Sequence, residues 1–540
     1  MDEEKIGHPV KAPNMKRLSI FNHVLGPVMR GPSSSHTAGA YHIAVMARGL
    51  AGGEVKRVTI SFDPQGSYVR TYAQQGADRA FAMGFMGKPL TDESFFTALD
   101  DARASGLDLK FVKHRLQRPD HPNAMEIEIG RPRRPDLVLE ARSIGGGDVE
   151  IARLDGFPIS LTGSAFEVLI EAGGDMVPRM QTLLNVDGAL LGDPAVVSAG
   201  EDRFAVVVRR AKVIPPEMRL NLRLLLPDSV LYEAPPIYLV QTGEPLFFSA
   251  AEMVRLAETK GVSLGEAALA YECALLGVSR EAALTEMLRR YDIMAAAAER
   301  GLNLDFSGMQ ILKPSAGLIF KAEAVHKLSL GGPPARAAAR ALAVMHVNSA
   351  MGVVCAAPTG GSAGTIPGAV ITLAEEKKLP REKIALALFA AGGIGLITAL
   401  RATFAAEVAG CQVEIGAAGA MAAAGVVDAV GGSARQACDA AAIAYQNTMG
   451  SVCDLVLGMV EIPCHTRNAT AAASAFVNAD LILGGYHNPI PLDETIDAVY
   501  SVGRMLPSEL RCTSKGGLAL APSAKALKPP KRAVNRTEKL

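Results

Sequence analysis

Ile384-Ala-Leu-Ala-Leu-Phe-Ala-Ala-Gly-Gly-Ile-Gly-Leu-Ile-Thr-Ala-Leu400 runs seventeen residues without a charge. That approaches a membrane span, which takes about 20 apolar residues. Charges flank the run, however, and Gly392, Gly393 and Gly395 interrupt it. No series of comparable spans accompanies it, so we read it as a buried helix in a large all-helical core. The surroundings agree. From Ala335 onward the chain is rich in Ala, Gly, Val and Met with few aromatics, and small residues at helical spacing let helices approach closely. Residues 248–305 also read as helical, with charged faces such as 280–290.

Upstream the pattern changes. Residues 18–159 mix an Ala-rich helix at 37–51 with strand-like alternation at 55–62 and 124–129, an α+β character. Residues 160–241 read as strand (166–171), helix (176–185), strand (195–198), strand (204–209), helix (216–225) and strand (237–240). That βαββαβ order is the ferredoxin-like arrangement, common among small regulatory modules. The expected fold class is thus multidomain: an α+β N-terminal domain (18–159), an ACT-like βαββαβ module (160–241) and an all-α catalytic domain (242–524). A polar, flexible N-terminus (1–17) and a basic, disordered tail (525–540) complete the chain.

The 540 residues, 49% of them apolar, suit about three or four domains with large cores. Lys and Arg (55) balance Asp and Glu (55), which argues against nucleic acid or an anionic membrane as partner. The start of the chain lacks an apolar secretory core. With an odd cysteine count and no export signal, the expected compartment is the reducing cytoplasm.

Seven cysteines are present, with no Cys-x-x-Cys pair, so zinc-ribbon and thioredoxin motifs find no support. Cys273, Cys355 and Cys438 lie in apolar runs and read as core. Cys411, Cys453 and Cys464 lie in short apolar, Gly- or Pro-flanked contexts and suggest a three-thiolate cluster site, although each alone reads more readily as a small buried hydrophobe. Two loops offer further chemistry. Gly31-Pro-Ser33-Ser34-Ser35-His36-Thr37-Ala-Gly39 precedes a helix, where hydroxyls and free N–H groups form a carboxylate cradle, with His36 as an acid/base candidate. Simple N-capping is the plainer reading. Ala357-Pro-Thr359-Gly360-Gly361-Ser362-Ala-Gly-Thr-Ile-Pro-Gly368 has glycines that let a backbone approach a ligand; a turn between buried helices is its plainer reading. It lacks the Gly-Lys-Ser/Thr of a phosphate-binding loop.

Together, these two loops, Gly-Cys-Gln-Val-Glu-Ile-Gly (410–416), Cys453-Asp and Ile-Pro-Cys-His-Thr-Arg-Asn-Ala (462–469) resemble the bacterial iron-sulfur L-serine dehydratases. Ser-Ile-Gly-Gly-Gly (143–147) and Lys-Gly-Gly-Leu-Ala (515–519) fit as well, in family order from about residue 20 to 522. The resemblance implies β-chain-like and α-chain-like parts fused in one chain, and the expected assembly is a homo-oligomer, a dimer. It implies conversion of L-serine to pyruvate and ammonia, with Cys411, Cys453 and Cys464 holding a 4Fe-4S cluster whose open iron assists loss of the hydroxyl. His36 is then the candidate base. Ser33, Ser34, Ser35, Thr37, Thr359, Gly360, Gly361, Ser362 and Asn468 are the candidate substrate-binding residues.

The chain departs from the family at several points. Gln75 stands where relatives carry an active-site histidine; an amide hydrogen-bonds but does not shuttle a proton at neutral pH. Gln446-Asn447-Thr448 and Val413 are also atypical. Some relatives end in a cysteine that reaches the site, whereas this sequence ends in Leu540; Cys512 lies near the end and could substitute, with a bystander role the plainer reading. Two alternatives follow: a lyase of the same fold acting on another β-hydroxy or β-thiol amino acid, and an inactive cluster-containing sensor.

Overall fold

The chain is described by a computed structural model covering residues 17–131, 135–200 and 202–527. The expected loose start and basic tail lie outside these residues, apart from Arg17 and residues 525–527. Of the latter, Lys525 and Ala526 end a short helix, Pro522–Ala526.

Strand β1 (Val28–Arg30) leads into the serine-rich loop and the helix Gly39–Leu50. Six strands then form one sheet: β2 (Arg57–Phe62), β3 (Asp108–Lys113), β4 (Ala124–Gly130), β5 (Leu137–Gly145), β6 (Asp148–Leu154) and β7 (Phe157–Leu161), in the order β3-β2-β4-β5-β6-β7. Only β2 and β3 run parallel. Alternation explains the sheet's two faces. Ile127, Ile129, Leu137, Leu139 and Ile151 point into a core shared with Ile43, Ala47, Phe81 and Met83 of the helices Gly39–Leu50 and Ala77–Met86, while Glu128 and Val138 face outward.

A second sheet contains β8 (Phe166–Ala172), β9 (Ala195–Ser198), β10 (Phe204–Arg210) and β11 (Val230–Ala234), in the order β11-β8-β10-β9 and antiparallel throughout. The helices Val177–Leu184 and Pro216–Leu225 cover one face through Met180, Leu184, Met218 and Leu222. The βαββαβ order is as expected, but the last strand is not. It is Val230–Ala234, and residues 237–240 are a connecting segment. Pro235 and Pro236 follow β11 directly and cannot donate to a ladder. The Leu239 backbone pairs instead with the Asn22 side chain, at 3.0 Å and 2.8 Å.

The C-terminal region is helical. Its central helix, Arg381–Arg401, is the one helix among the described residues long and apolar enough to cross a membrane, and 83% of its apolar window is buried inside the fold. It packs on Leu264–Leu276 and Ile415–Ala429. Two of its three glycines make room for the start of the chain. A Cβ at Gly392 would lie 2.5 Å from Ile20 Cγ2, and one at Gly395 would lie 2.2 Å from Val24 Cγ1. Ile20, Phe21, Val24 and Leu25 therefore belong to the core of the helical region. The buried Glu272 fastens them there, accepting from the Ile20 and Phe21 N–H groups at 2.8 and 2.9 Å and from the Ser19 hydroxyl. One strand breaks the all-helical expectation for this region: β12 (Val353–Cys355), three residues long and paired antiparallel with β1.

Candidate active site

The β1–β12 pairing sets the two predicted loops side by side, because each follows directly from one of these strands. Gly31, at φ 88°, turns the chain out of β1. Ser33 then caps a wide helical turn, Ser34–Ala38, by accepting from the His36 N–H at 3.2 Å. On the other side Thr359 and Ser362 form a reciprocal capping box around Gly360 and Gly361. The two backbones touch. A Cβ at Gly360 would lie 3.1 Å from Pro32 O and Ser34 N, and Asn348 Nδ2 donates to both Gly31 O (3.2 Å) and Gly360 O (3.0 Å).

Between the loops and the helical region lies a narrow cavity. From the N-terminal side it is lined by Ser33, Ser34, Ser35, Gln75, Gly145 and Gly146. From the helical side it is lined by Thr359, Gly361, Phe404, Glu407, Glu414, Cys453, Cys464 and Cys512, among others. Of the predicted substrate-binding residues, five reach its surface. Thr37 does not: its hydroxyl donates to Gln75 O at 2.7 Å. Gly360, Ser362 and Asn468 lie behind the wall, where Asn468 joins the second loop to Cys464.

The three predicted ligand cysteines converge from three different local structures. Cys411 follows Gly410 in the turn Cys411–Val413. Cys453 lies in an extended segment whose N–H donates to Leu510 O at 2.8 Å. Cys464 opens the helix Cys464–Leu483, where a helix N-terminus favours a thiolate. All three are buried, and none is in a disulfide. The Cys411 and Cys453 sulfurs and a Glu414 carboxylate oxygen lie within 4.8 Å of one another, a group that could hold a metal. The hydrogen bond between Cys411 and Cys453, with burial, holds the Cys411 thiol well above its ordinary range; burial does the same to Cys464. Arg467 opposes this, its guanidinium 3.6 Å from Cys411 Sγ and 3.0 Å from Asp454 Oδ1. Metal binding at such a site displaces the thiol protons.

His36 stands one layer behind the cavity, not among its lining residues. Its Nδ1 is 3.1 Å from both Ser33 Oγ and Ser35 Oγ, its Nε2 is 2.9 Å from Ser67 Oγ, and its ring packs on Tyr68. Burial lowers its pKa, and the nearby Glu407 opposes that effect. Gln75, in contrast, lines the cavity. It is 2% exposed, its Nε2 donates to Gly458 O at 3.2 Å, and its Oε1 has no partner among the described residues.

Three lining residues were missed in the sequence. Glu407 accepts from Ser35 Oγ at 2.9 Å. Glu414 accepts from the Thr359 hydroxyl, and burial pushes its pKa up to about 7. A signal existed: these are the only two charges between Arg401 and Asp428. Cys512, weighed as a bystander, sits at φ 62° with its N–H donating to Cys453 O at 2.9 Å, and both residues line the cavity.

Residues 259–519 match the family described as serine dehydratase alpha chain. The probable L-serine dehydratase alpha chain of Bacillus subtilis (strain 168) is 36% identical over 283 residues, 52% of this chain and 94% of the relative. The L-serine dehydratase alpha chain of Peptoniphilus asaccharolyticus is 34% identical over 272 residues, 50% of this chain and 93% of that one. The probable L-serine dehydratase beta chain of Bacillus subtilis (strain 168) is 42% identical over 157 residues, 29% of this chain and 69% of the relative. With cysteines, glycine loop and serine loop gathered on one cavity, and with matches to both chain types, this polypeptide belongs to the L-serine dehydratase family, its beta-like and alpha-like parts fused in one chain.

Proposed function

We propose that the protein is an L-serine ammonia-lyase, converting L-serine to pyruvate and ammonia by β-elimination of the hydroxyl. The observation that carries this reading is the meeting of Cys453 and Cys464 with Ser33–Ser35 and Gln75 on one buried cavity, with the Cys411 sulfur within 4.8 Å of that of Cys453. The donor set suits an iron-sulfur cluster: three buried, unpaired thiols with a guanidinium beside them. A 4Fe-4S cluster held by Cys411, Cys453 and Cys464 leaves one iron without a protein thiolate, and such an iron supplies Lewis-acid assistance to a departing hydroxyl.

The remaining work falls to this chain's own groups. The Ser34 hydroxyl, which accepts from the Gly360 N–H and keeps its own proton to donate, suits the substrate carboxylate together with the first N–H groups of the wide turn. The orphaned Gln75 Oε1 suits its ammonium, since a buried acceptor without a partner costs about 1–3 kcal/mol until one arrives. Thr359 and Gly361 close the opposite wall and exclude water. Loss of the Cα proton and the β-hydroxyl leaves aminoacrylate, which tautomerises and hydrolyses in water to pyruvate and ammonia.

The strand order β11-β8-β10-β9 supports reading residues 160–241 as an ACT-like module. A cytoplasmic location fits the free thiols, and a homodimer is the proposed assembly. The test is made on anaerobically purified protein with iron and sulfide measured in the same sample. We expect pyruvate from L-serine, and a Cys453→Ser protein depleted in iron. Cluster-loaded protein that forms no pyruvate from L-serine contradicts the reading.

A further inference from the structure

The cavity lacks a histidine, lysine or arginine: its titratable lining groups are Glu407, Glu414 and the thiols of Cys453, Cys464 and Cys512. Elimination from an amino acid needs a group that takes the Cα proton, and a candidate must lie within reach of it. Two thiols are committed as cluster ligands. The third belongs to Cys512, whose backbone N–H is tied to Cys453 O at 2.9 Å. His36 is separated from the cavity by Ser33 and Ser35, and both of its ring nitrogens are engaged.

The two carboxylates are placed differently. Glu414 faces the ligand cysteines, within 4.8 Å of the Cys411 and Cys453 sulfurs, and takes the Thr359 hydroxyl. Glu407 faces the serine loop. Its side chain is 8% exposed, its Oε1 accepts from Ser35 Oγ at 2.9 Å, and its Oε2 has no hydrogen-bond partner among the described residues. Arginine and lysine form no ion pair with it among the described residues; His36 Nδ1 lies 3.9 Å away, in a ring that burial biases towards its neutral form, and Glu414, Cys512 and His121 are further titratable neighbours. An amino acid with its carboxylate on the serine loop and its hydroxyl towards the cysteines presents its Cα between the two, on the Glu407 side.

Resting on the L-serine reading above, we propose that Glu407 is the base of the elimination. Its Oε2 takes the Cα proton and becomes a carboxylic acid. The C–H electron pair forms the Cα=Cβ bond, and the Cβ–O pair departs with the hydroxyl. The proton held by Glu407 and the hydroxide together make one water, so the step needs no oxidant or reductant. Ser35 fixes the orientation of Glu407, and His36, held between Ser35 and Ser67, fixes Ser35. His36 is in this account a positioning residue, and Gln75 can replace a family histidine because proton removal lies elsewhere in the cavity.

The test compares anaerobic, cluster-loaded wild type with Glu407→Gln, Glu407→Asp, Glu414→Gln and His36→Gln. Measured quantities are iron content, kcat and KM for L-serine, and the isotope effect with L-serine deuterated at Cα. For Glu407→Gln we expect wild-type iron content, kcat lower by about 100- to 10,000-fold, KM within about threefold and an enlarged primary isotope effect. Glu407→Asp, which keeps the carboxylate, restores part of kcat and brings the isotope effect back towards the wild-type value. His36→Gln loses roughly tenfold in kcat through misplacement of Ser35 and keeps a smaller isotope effect than Glu407→Gln. Near wild-type kcat in Glu407→Gln with iron bound, or a larger loss of kcat in Glu414→Gln or His36→Gln than in Glu407→Gln, overturns the assignment. If Glu407→Gln fails to load iron, a Glu407→Asp protein that loads it but shows neither a lower kcat nor a changed isotope effect overturns it too. A cluster-loaded wild type that makes no pyruvate refutes the L-serine reading itself, and the base with it.

Discussion

Asn468 engages both ends of its amide. Its Oδ1 accepts from the Gly364 and Thr365 N–H groups and the Thr365 hydroxyl, at 2.9 to 3.2 Å, and its Nδ2 donates to Gly361 O (2.8 Å) and Cys464 O (2.9 Å). One side chain thus ties the glycine loop to a proposed cluster ligand. Asn468→Ala leaves several buried backbone groups unpaired, a loss on the order of 2–4 kcal/mol. We expect a lower urea midpoint and less iron per chain, both measurable on the same anaerobic preparation. This residue was legible as part of Cys464-His-Thr-Arg-Asn468, but its task was not, since a sequence motif does not say which wall of a cavity a side chain faces. Glu407 and Glu414 were missed for a related reason: a lone acid in an apolar run has no spacing partner. Cys512 comes to the site through a backbone pairing with Cys453, which its distance along the chain conceals.

The helices owe their close approach to particular glycines. A Cβ at Gly301, near the end of Arg280–Leu302, would lie 1.9 Å from Ala343 O in Pro333–Ser349. That backbone oxygen has no rotamer to give, so Gly301→Ala should cost about 3 kcal/mol or more through overpacking. Gly419, inside Ile415–Ala429, is the control: its nearest neighbour, Ala471 Cβ, would lie 3.6 Å away. Gly419→Ala should leave stability unchanged or raise it by up to about 1 kcal/mol, as chemical denaturation can show. In the second sheet, Glu167 at the start of β8 is 1% exposed; one oxygen accepts from the Thr162 and Gly163 N–H groups and the other has no partner among the described residues. Burial raises its pKa from 4.5 to about 7. Its contribution to stability is therefore fullest below pH 4.5 and is lost as pH rises through 7, at most about 3 kcal/mol. Glu167→Gln mimics the protonated acid, so its Tm should exceed the wild-type value at pH 8, with the gap closing towards pH 5. The sheet itself was largely legible, because alternation and turn residues mark β8 and β10. The last strand was misplaced because residues 237–240 are as apolar as β11, and the deciding feature is the proline pair between them.

At the scale of the whole molecule, the candidate cavity lies between two parts that resemble separate chains elsewhere. The connection is exposed at Glu244, whose side chain is 80% accessible. Broken after Glu244 and co-expressed, the two parts should copurify, held by the β1–β12 pairing and by Glu272 on Ser19 to Phe21, and the pair should carry iron and activity. The helical part alone should lack activity, because Ser33, Ser34, Ser35 and Gln75 are on the other piece. Affinity copurification followed by the pyruvate assay checks both statements. The division into an α/β part and a helical part was readable from composition. The interleaving of residues 20–30 with the helical core was not, since only contacts across more than 200 positions reveal it.

That interleaving also orders events at the ribosome. Strand β1 emerges early, but its partner β12 is made more than 300 residues later, roughly 15 to 65 s at ordinary rates of synthesis. The serine loop waits through that interval without the neighbour that shapes it. Cys411, Cys453 and Cys464 emerge later still, so a nascent chain cut short before them holds neither the finished pocket nor the three thiols that gather beside it.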